Sequence, residues 1–196
     1  MPTISIEQIK NLRVRTGVSI KEVKNALKES GGDEEKAIDI LRKKGALKAA
    51  KKESRETKQG VIDSYIHSNQ RVGVLLEIFC ETDFVAKNEE FKKLVHEIAM
   101  HIAAMDPLYA KPEDIPEKFL MKERKIYEEQ FKDSGKSKDV LRKIIDGKIK
   151  NYSEEVSLLK QPFIKDQNKT VEVLINEHIM KLGENIKLGR FVRYQI

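Results

Sequence analysis

The sequence predicts an α+β fold, in which a small N-terminal bundle of three helices precedes a core of helices packed on a three-stranded antiparallel sheet. In residues 1–45, apolar side chains recur at helical spacing between glycine breaks. Residues 61–80 follow a period of two instead, and so do residues 186–196. Helical patterns separate these two regions, which is typical of an α+β domain whose distant strands meet in one sheet.

The boundaries of the three N-terminal helices follow from capping residues and glycines. A capping box at residues 5–8 begins the first helix, and Gly17 can end it in the left-handed conformation. Ser19 marks the start of the second helix. The third should begin after Asp33, where acidic residues suit the helix dipole, and should close before Gly45. A bundle of this size has few apolar residues to bury, so we expect it to be only marginally stable.

A basic stretch at residues 42–58 follows the bundle. It holds eight basic and two acidic residues, so its net charge equals the +6 of the whole chain. We interpret it as a solvated linker that is helical or frayed. It divides the chain into a module with its linker, residues 1–53, and an α+β core, residues 54–196. The alternative is a basic nucleic-acid-binding protein that uses residues 42–58, which a steep salt dependence of duplex binding would favour.

The strands of the core are predicted from alternation. Residues 61–67 and 72–80 should form two strands joined by a short turn, and residues 186–196 should return as the third. Leu75 and Phe79 make the second face of the 72–80 strand largely apolar too. We therefore expect this strand to be central and covered on both faces.

The helices of the core follow from apolar stripes. Asn88 should cap a helix whose stripe continues to Ile102. A mainly helical excursion is expected at about residues 107–165, broken around Gly135, and another amphipathic helix at residues 170–182.

Composition excludes several classes of protein. Cys80 is the single cysteine, so neither an internal disulfide framework nor a multi-thiolate metal site is possible. No apolar run approaches the roughly 18 residues of a membrane span, and we expect no signal peptide. These features predict a soluble intracellular protein.

Catalytic and metal-binding motifs are weak. His96 and His101 are five residues apart, whereas a zinc-binding helix needs two histidines four apart on one face. Cys80 could act as a nucleophile if a hairpin brought it near His67, but a cysteine on an apolar strand is more often a small hydrophobe. We expect no metal and no cofactor. An enzyme built on Cys80 or His96 remains the second alternative.

The loop between the second strand and the following helix carries an unusual aromatic residue. Phe84 follows Asp83 in the segment from Glu81 to Lys87. Phe84 could fold back as a plug under the helix, or it could be an exposed anchor for a partner, since aromatic residues are enriched at binding hot spots. The residues alone leave both interpretations open.

This loop resembles the hallmark segment of the elongation factor Ts family, and the resemblance extends in order along the whole chain. Its motifs are Thr82-Asp83-Phe84-Val85, Leu12-Arg13, Thr16-Gly17, Lys24-Asn25-Ala26-Leu27, Gly32-Asp33, Leu158-Leu159-Lys160-Gln161-Pro162-Phe163 and Leu182-Gly183-Glu184-Asn185-Ile186. The resemblance implies a ubiquitin-associated-type N-terminal module and a short family form with one copy of the core subdomain.

The resemblance also implies a function and its residues. A factor of this family binds the GTPase elongation factor Tu in its GDP form and promotes exchange for GTP in the cytoplasm, without a chemical active site, cofactor or membrane. The implied contact loop is Thr82, Asp83, Phe84 and Val85, which disturbs the magnesium and nucleotide site of the GTPase. The implied second contact uses Leu12, Arg13, Thr16 and Gly17 of the module.

The resemblance further implies which macromolecules the chain meets. Some short members link two subunits through a cysteine in the last strand, but Val192 stands at the matching position here. A homodimer would therefore be non-covalent. Binding of nucleic acid is not expected. Lys87 stands where the family more often has arginine, and Phe79 where a smaller residue is expected.

Overall fold

The computed structural model describes residues 4–132 and 134–196. Its N-terminal helices are α1 (Ile6–Thr16), α2 (Ile20–Glu29) and α3 (Glu34–Lys52). The core elements follow in the order β1 (Gln59–Ile66), β2 (Val72–Cys80), α4 (Asp83–Ala86), α5 (Glu89–Met105), α6 (Glu117–Phe131), α7 (Lys138–Glu155), β3 (Pro162–Phe163), β4 (Asp166–Thr170), α8 (Val171–Leu182) and β5 (Ile186–Gln195). The α+β class with an N-terminal three-helix bundle is confirmed.

The predicted helix caps of the bundle are present. Ser5 and Gln8 exchange side-chain and backbone hydrogen bonds, and Ser19 and Asp33 cap α2 and α3. Gly17 adopts the left-handed conformation with φ 65°. The bundle has its own small core, made of Leu12, Val18, Val23, Ala26, Leu27, Ala37 and Leu41.

The predicted end of the third helix is wrong. Instead of closing before Gly45, α3 continues to Lys52. Gly45 is buried against α8. A Cβ built on Gly45 would lie 3.6 Å from Met180 Sδ and 3.7 Å from the backbone oxygen of Asn176. A Cβ there would make only ordinary van der Waals contacts, and the packing of α3 on α8 outweighs the weak helix propensity of glycine. The basic stretch is therefore helical as far as Lys52, and α3 rests on the core.

The main sheet has the order β1-β2-β5, and each neighbouring pair is antiparallel. This confirms the predicted three-stranded sheet with β2 in the centre. Gln59 of β1 and Ile186 of β5 both pair with Cys80, so the three strands meet at the end of β2. The turn that contains Phe84 follows at once.

The expectation that β2 is covered on both faces is wrong. One face packs into the core through Val74, Leu76, Ile78 and Cys80. On the other face, Leu75 is 49% exposed and Phe79 is 37% exposed. We call this second side the open sheet face; its large apolar members are Ile62, Ile66, Leu75, Phe79, Val192 and Tyr194. An antiparallel sheet can leave one face to solvent, and alternation alone does not reveal which apolar residues lack a cover.

Helices α5 and α8 cover the core face of the sheet. Asn88 caps α5, as predicted, and Phe91, Leu94, Val95, Ile98 and Ile102 form its buried stripe. Helices α6 and α7 lie on either side of Gly135. No helix within the described ranges is long and apolar enough to cross a membrane.

The short hairpin β3–β4 was not predicted. Its attachment involves His101, which is fully buried on α5. His101 Nδ1 accepts a hydrogen bond from the backbone N–H of Ile164 at 3.2 Å, and Nε2 lies 3.0 Å from Gln161 Oε1. The Nε2–H must then donate to Gln161, so the ring is neutral. Burial lowers the pKa of His101, which agrees with this assignment.

Candidate functional site

The segment that the family resemblance singles out lies at the start of α4. Thr82 is the N-cap, and its hydroxyl accepts a hydrogen bond from the backbone N–H of Val85 at 3.4 Å. Phe84 is 82% exposed, whereas Val85 is only 9% exposed and belongs to the main core. Phe84 is therefore an exposed aromatic residue and not a plug under the helix. The buried side chain of Val85 attaches the turn to the main core.

Asp83 provides a charge beside the exposed ring. Its carboxylate accepts a hydrogen bond from Lys87 Nζ at 2.7 Å, one helical turn later. This bond and the positive charge of Lys87 lower the pKa of Asp83, so the carboxylate is ionised at neutral pH. The pair lies at the surface, where such ion pairs contribute little to stability. Asp83 can therefore exchange Lys87 for another partner at small cost.

Two loops that are far apart in sequence hold this turn in place. Glu184 accepts hydrogen bonds from the backbone N–H groups of Glu81 and Thr82, at 3.1 and 3.0 Å, and from the Thr82 hydroxyl at 2.6 Å. In return, the backbone N–H of Asn185 donates to the Glu81 carboxylate at 2.6 Å. We call Glu81, Thr82, Glu184 and Asn185 the loop clamp.

The connection that follows α3 contacts the loop clamp. Asn185 is 3% exposed, and its side-chain amide donates to the backbone oxygen of Arg55 at 3.1 Å and to that of Glu53 at 3.5 Å. The Arg55 guanidinium lies 3.5 Å from the Glu81 carboxylate. The end of the N-terminal module and the turn with Phe84 are thus joined by polar contacts.

The four residues predicted for the second contact have different environments. Arg13 is exposed. Leu12 is fully buried in the bundle, and its backbone oxygen accepts a hydrogen bond from Thr16 Oγ1 at 2.7 Å. A Cβ on Gly17 would lie 2.9 Å from the side chain of Lys181 on α8. Among these four, Arg13 presents its side chain to solvent, and the other three shape the end of α1 and its contact with the core.

Most of the basic stretch is engaged in intramolecular contacts. Six of its eight basic side chains have polar partners: Arg42 with Asp39 and Glu177, Lys44 with Glu29, Lys48 with Glu22, Lys52 with the backbone oxygen of Gly183, Arg55 with Glu81 and Lys58 with Glu56. Several of these contacts connect α3 to α2 or to the core. Much of the positive charge of this stretch is therefore paired within the chain.

The geometry does not support the enzyme alternatives. Cys80 pairs with Gln59 at one end of the β1–β2 hairpin, whereas His67 lies beyond its other end, so the proposed meeting of Cys80 and His67 is wrong. Burial raises the pKa of Cys80 to about 11, which leaves the thiol protonated and unreactive at neutral pH. His96 instead pairs with Asp63 at 2.9 Å.

A metal site finds no support either. His101 is engaged with Gln161 and is not available to a ligand set that includes His96. Across the residues that the structure describes, no group of three or more histidine, cysteine or acidic side chains could hold a metal ion.

The chain is similar to known proteins along almost its whole length. A family model described as Elongation factor TS matches residues 5–196. The chain is 53% identical over 193 residues to elongation factor Ts of Thermosipho melanesiensis, and the match covers 98% of both chains. It is 54% identical to that of Fervidobacterium nodosum, with the same coverage, and 52% identical to that of Thermotoga petrophila, over 98% of this chain and 96% of the relative.

These matches define a translation elongation factor. The chain belongs to the elongation factor Ts family.

The loop clamp is what sequence reasoning missed. Glu184 and Asn185 lie in a segment that resembles the family, but nothing in their local sequence predicts a contact with Thr82, which is 102 residues away from Glu184. The available signal was Gly183, which ends α8 in the left-handed conformation and so places two polar residues on a turn just before β5.

Proposed function

We propose that this protein binds elongation factor Tu in its GDP form and promotes GDP release and exchange for GTP, by inserting the turn of Asp83 and Phe84 next to the magnesium and nucleotide site of the GTPase. The observation that carries the proposal is Phe84, an aromatic side chain 82% exposed at the tip of a one-turn helix whose next residue is buried. Such a side chain has little to contact within its own chain, and aromatic anchors dominate the energetics of protein interfaces.

Exchange requires coupling between two binding sites and needs no acid, base or nucleophile. If the factor weakens nucleotide binding, the nucleotide must weaken the binding of the factor by the same ratio. A hundredfold loss of nucleotide affinity corresponds to about 2.7 kcal/mol of differential contact. One buried aromatic anchor supplies energy of this order. The proposal therefore includes no chemical active site and no cofactor in this chain, and it places the protein in the cytoplasm with the translation machinery.

Asp83 would act together with Phe84. Its carboxylate is ionised and is held only by the exposed Lys87. A negative charge brought close to the ligands of a bound magnesium ion can compete for their hydrogen bonds and weaken the ion's site. We expect Lys87 to release Asp83 on binding, because a surface ion pair of this kind contributes at most about 1 kcal/mol.

The N-terminal module would provide a second contact, through Arg13 and the neighbouring end of α1. Two contacts carried on one chain raise the effective concentration of the second after the first has formed. Leu12, Thr16 and Gly17 support this contact indirectly, because Leu12 is buried and Gly17 faces Lys181. We propose residues 1–53 and 54–196 as the two units.

A non-covalent homodimer is proposed through the open sheet face. Its apolar members include Ile66 and Tyr194, which are 63% and 72% exposed. Contiguous exposed apolar side chains mark interaction surfaces, and a second copy of the same sheet would match them. Sedimentation analysis should show a concentration-dependent dimer that Leu75→Glu abolishes; an unchanged monomer at all concentrations would contradict the proposal.

A nucleic-acid-binding role for residues 42–58 is not proposed, because six of the eight basic side chains there contact other groups of the same chain. The direct test of the exchange function is the release of a fluorescent GDP analogue from elongation factor Tu. We expect catalytic amounts of this protein to accelerate release strongly. Release at the intrinsic rate would refute the proposed function.

A further inference from the structure

The turn that carries Phe84 is too short to hold its own shape. Helix α4 has four residues, Asp83–Ala86. A single helical turn fixes several backbone dihedral angles for one or two hydrogen bonds, so it is unfavourable in isolation. The conformation of this turn must therefore be stabilised by contacts from outside.

Glu184 supplies those contacts at the entrance to the turn. One of its oxygens accepts two backbone N–H bonds, from Glu81 and Thr82, and the other accepts the Thr82 hydroxyl proton at 2.6 Å. A hydroxyl group has one proton to donate, and here that proton points to Glu184. The lone pairs of the Thr82 hydroxyl oxygen are then free to accept the N–H of Val85, which caps α4. Glu184 thus orients the capping group of the helix that presents Phe84.

The reciprocal bond makes this arrangement specific. Asn185, next to Glu184, donates its backbone N–H to Glu81 at 2.6 Å, so the two loops exchange hydrogen bonds in both directions. Asn185 is itself held by the backbone oxygen of Arg55. The position of Glu184 relative to the turn is therefore set by several independent bonds, and the carboxylate is preorganised as an acceptor.

We propose that Glu184 is a positioning residue for nucleotide exchange, an inference that rests on the exchange function proposed above. It acts through Thr82, by holding the Phe84 turn in the geometry that enters the partner. An anchor that is already ordered avoids the entropic cost of ordering it on binding. Without the carboxylate, Phe84 is still present and exposed, but its turn samples other conformations and inserts less effectively.

The test compares four forms of the full chain in GDP release from elongation factor Tu: the wild type, Glu184→Ala, Phe84→Ala and the double variant. We expect Glu184→Ala to slow stimulated release about tenfold, the scale set by the ordering of one or two side chains. In the double variant, we expect a loss smaller than the product of the two single losses, because Glu184 acts through the turn. Glu184→Gln keeps one acceptor oxygen and should recover part of the activity.

A matched control and a structural readout separate positioning from general destabilisation. Glu172→Ala removes another carboxylate of the α8 region, which pairs with Lys160 at 2.7 Å, and should leave exchange unchanged. Hydrogen exchange of the backbone amides of Thr82 and Val85 should accelerate in Glu184→Ala and stay unchanged in Glu172→Ala.

The outcomes distinguish this inference from the function on which it rests. A wild type that does not accelerate GDP release refutes the proposed function itself, and the inference with it. A loss with Phe84→Ala but none with Glu184→Ala overturns the inference alone. So do effects that multiply in the double variant, or protection of Thr82 and Val85 that is unchanged in Glu184→Ala.

Discussion

Truncation of Phe84 should separate binding from folding. With 82% of the residue exposed, less than a fifth of it is removed from solvent in the free protein. Full burial of a phenylalanine side chain contributes about 1.5–3 kcal/mol, so Phe84→Ala should reduce the free energy of unfolding by about 0.5 kcal/mol or less. A change of this size lowers the melting temperature by about 1–2 °C in a protein of this length.

The expected effect on the complex is much larger. If Phe84 is the buried anchor in the interface, its truncation should cost about 2–4 kcal/mol of binding, as at other hot spots. This corresponds to a loss of about 30-fold to 1,000-fold in stimulated GDP release at limiting concentrations of the factor. The assay is release of fluorescent GDP from elongation factor Tu, measured beside thermal unfolding of the same preparations.

Phe119→Ala is the matched control. Phe119 is also a partly exposed phenylalanine, 43% accessible, but it lies on α6 in the helical excursion. We expect it to leave GDP release close to that of the wild type. A Phe84→Ala variant that releases GDP at the wild-type rate would refute the assignment of Phe84 as the wedge. A melting temperature lowered by 10 °C or more, as for a core phenylalanine costing about 3–5 kcal/mol, would contradict its exposure.

Three further predictions concern stability and domain structure. Burial lowers the pKa of His101 and favours its neutral form in the folded state, so the free energy of unfolding, measured in urea, should fall as the pH drops from about 7 to 5. His101→Gln should make the free energy of unfolding less dependent on pH, and an equal dependence in the variant would refute the argument. A Cβ on Gly60 would lie 2.3 Å from the Ile78 backbone oxygen, so Gly60→Ala should lower the free energy of unfolding by about 1–3 kcal/mol. Gly147 lies on α7 with open space around it, so Gly147→Ala should raise the free energy of unfolding by about 0.4–1 kcal/mol. Equal melting temperatures of the two variants would contradict this. Trypsin should cut first within residues 53–58, which connect α3 to β1, and an earlier cut inside β1 or β2 would count against the proposed boundary.

Local signals in the sequence were sufficient for most of the secondary structure. The caps at Ser5, Ser19 and Asn88 depend on hydrogen bonds to residues two or three positions away, which do not require knowledge of the tertiary fold. Alternation located the three strands of the main sheet to within two residues. Because strand and helix signals are local, the sequence placed Phe84 between a strand and a helix. It left open whether the ring is exposed, since exposure depends on the tertiary fold.

Errors arose where distant residues decide the outcome. Gly45 was predicted to lie beyond the end of a helix, but α8 packs against it and stabilises the continuous α3. Leu75 and Phe79 were predicted to be covered, but the described helices lie on the opposite face of the sheet. In both cases the local pattern is compatible with two structures, and tertiary packing selects one of them.

The sequence by itself determined the class of fold, the order of the main helices and strands and the family, because periodicity, capping and motif order are properties of neighbouring residues. Only the tertiary structure decided which residues support the candidate site. Glu184 meets Thr82 across 102 residues, and His101 meets Gln161 across 60. Such pairs carry no local signature, since polar residues on turns are common and their partners are set by how β5, α8 and the β3–β4 hairpin pack against α5 and the sheet. The sequence places Phe84 between a strand and a helix, and only the fold shows that its ring is exposed and which contacts hold it in position.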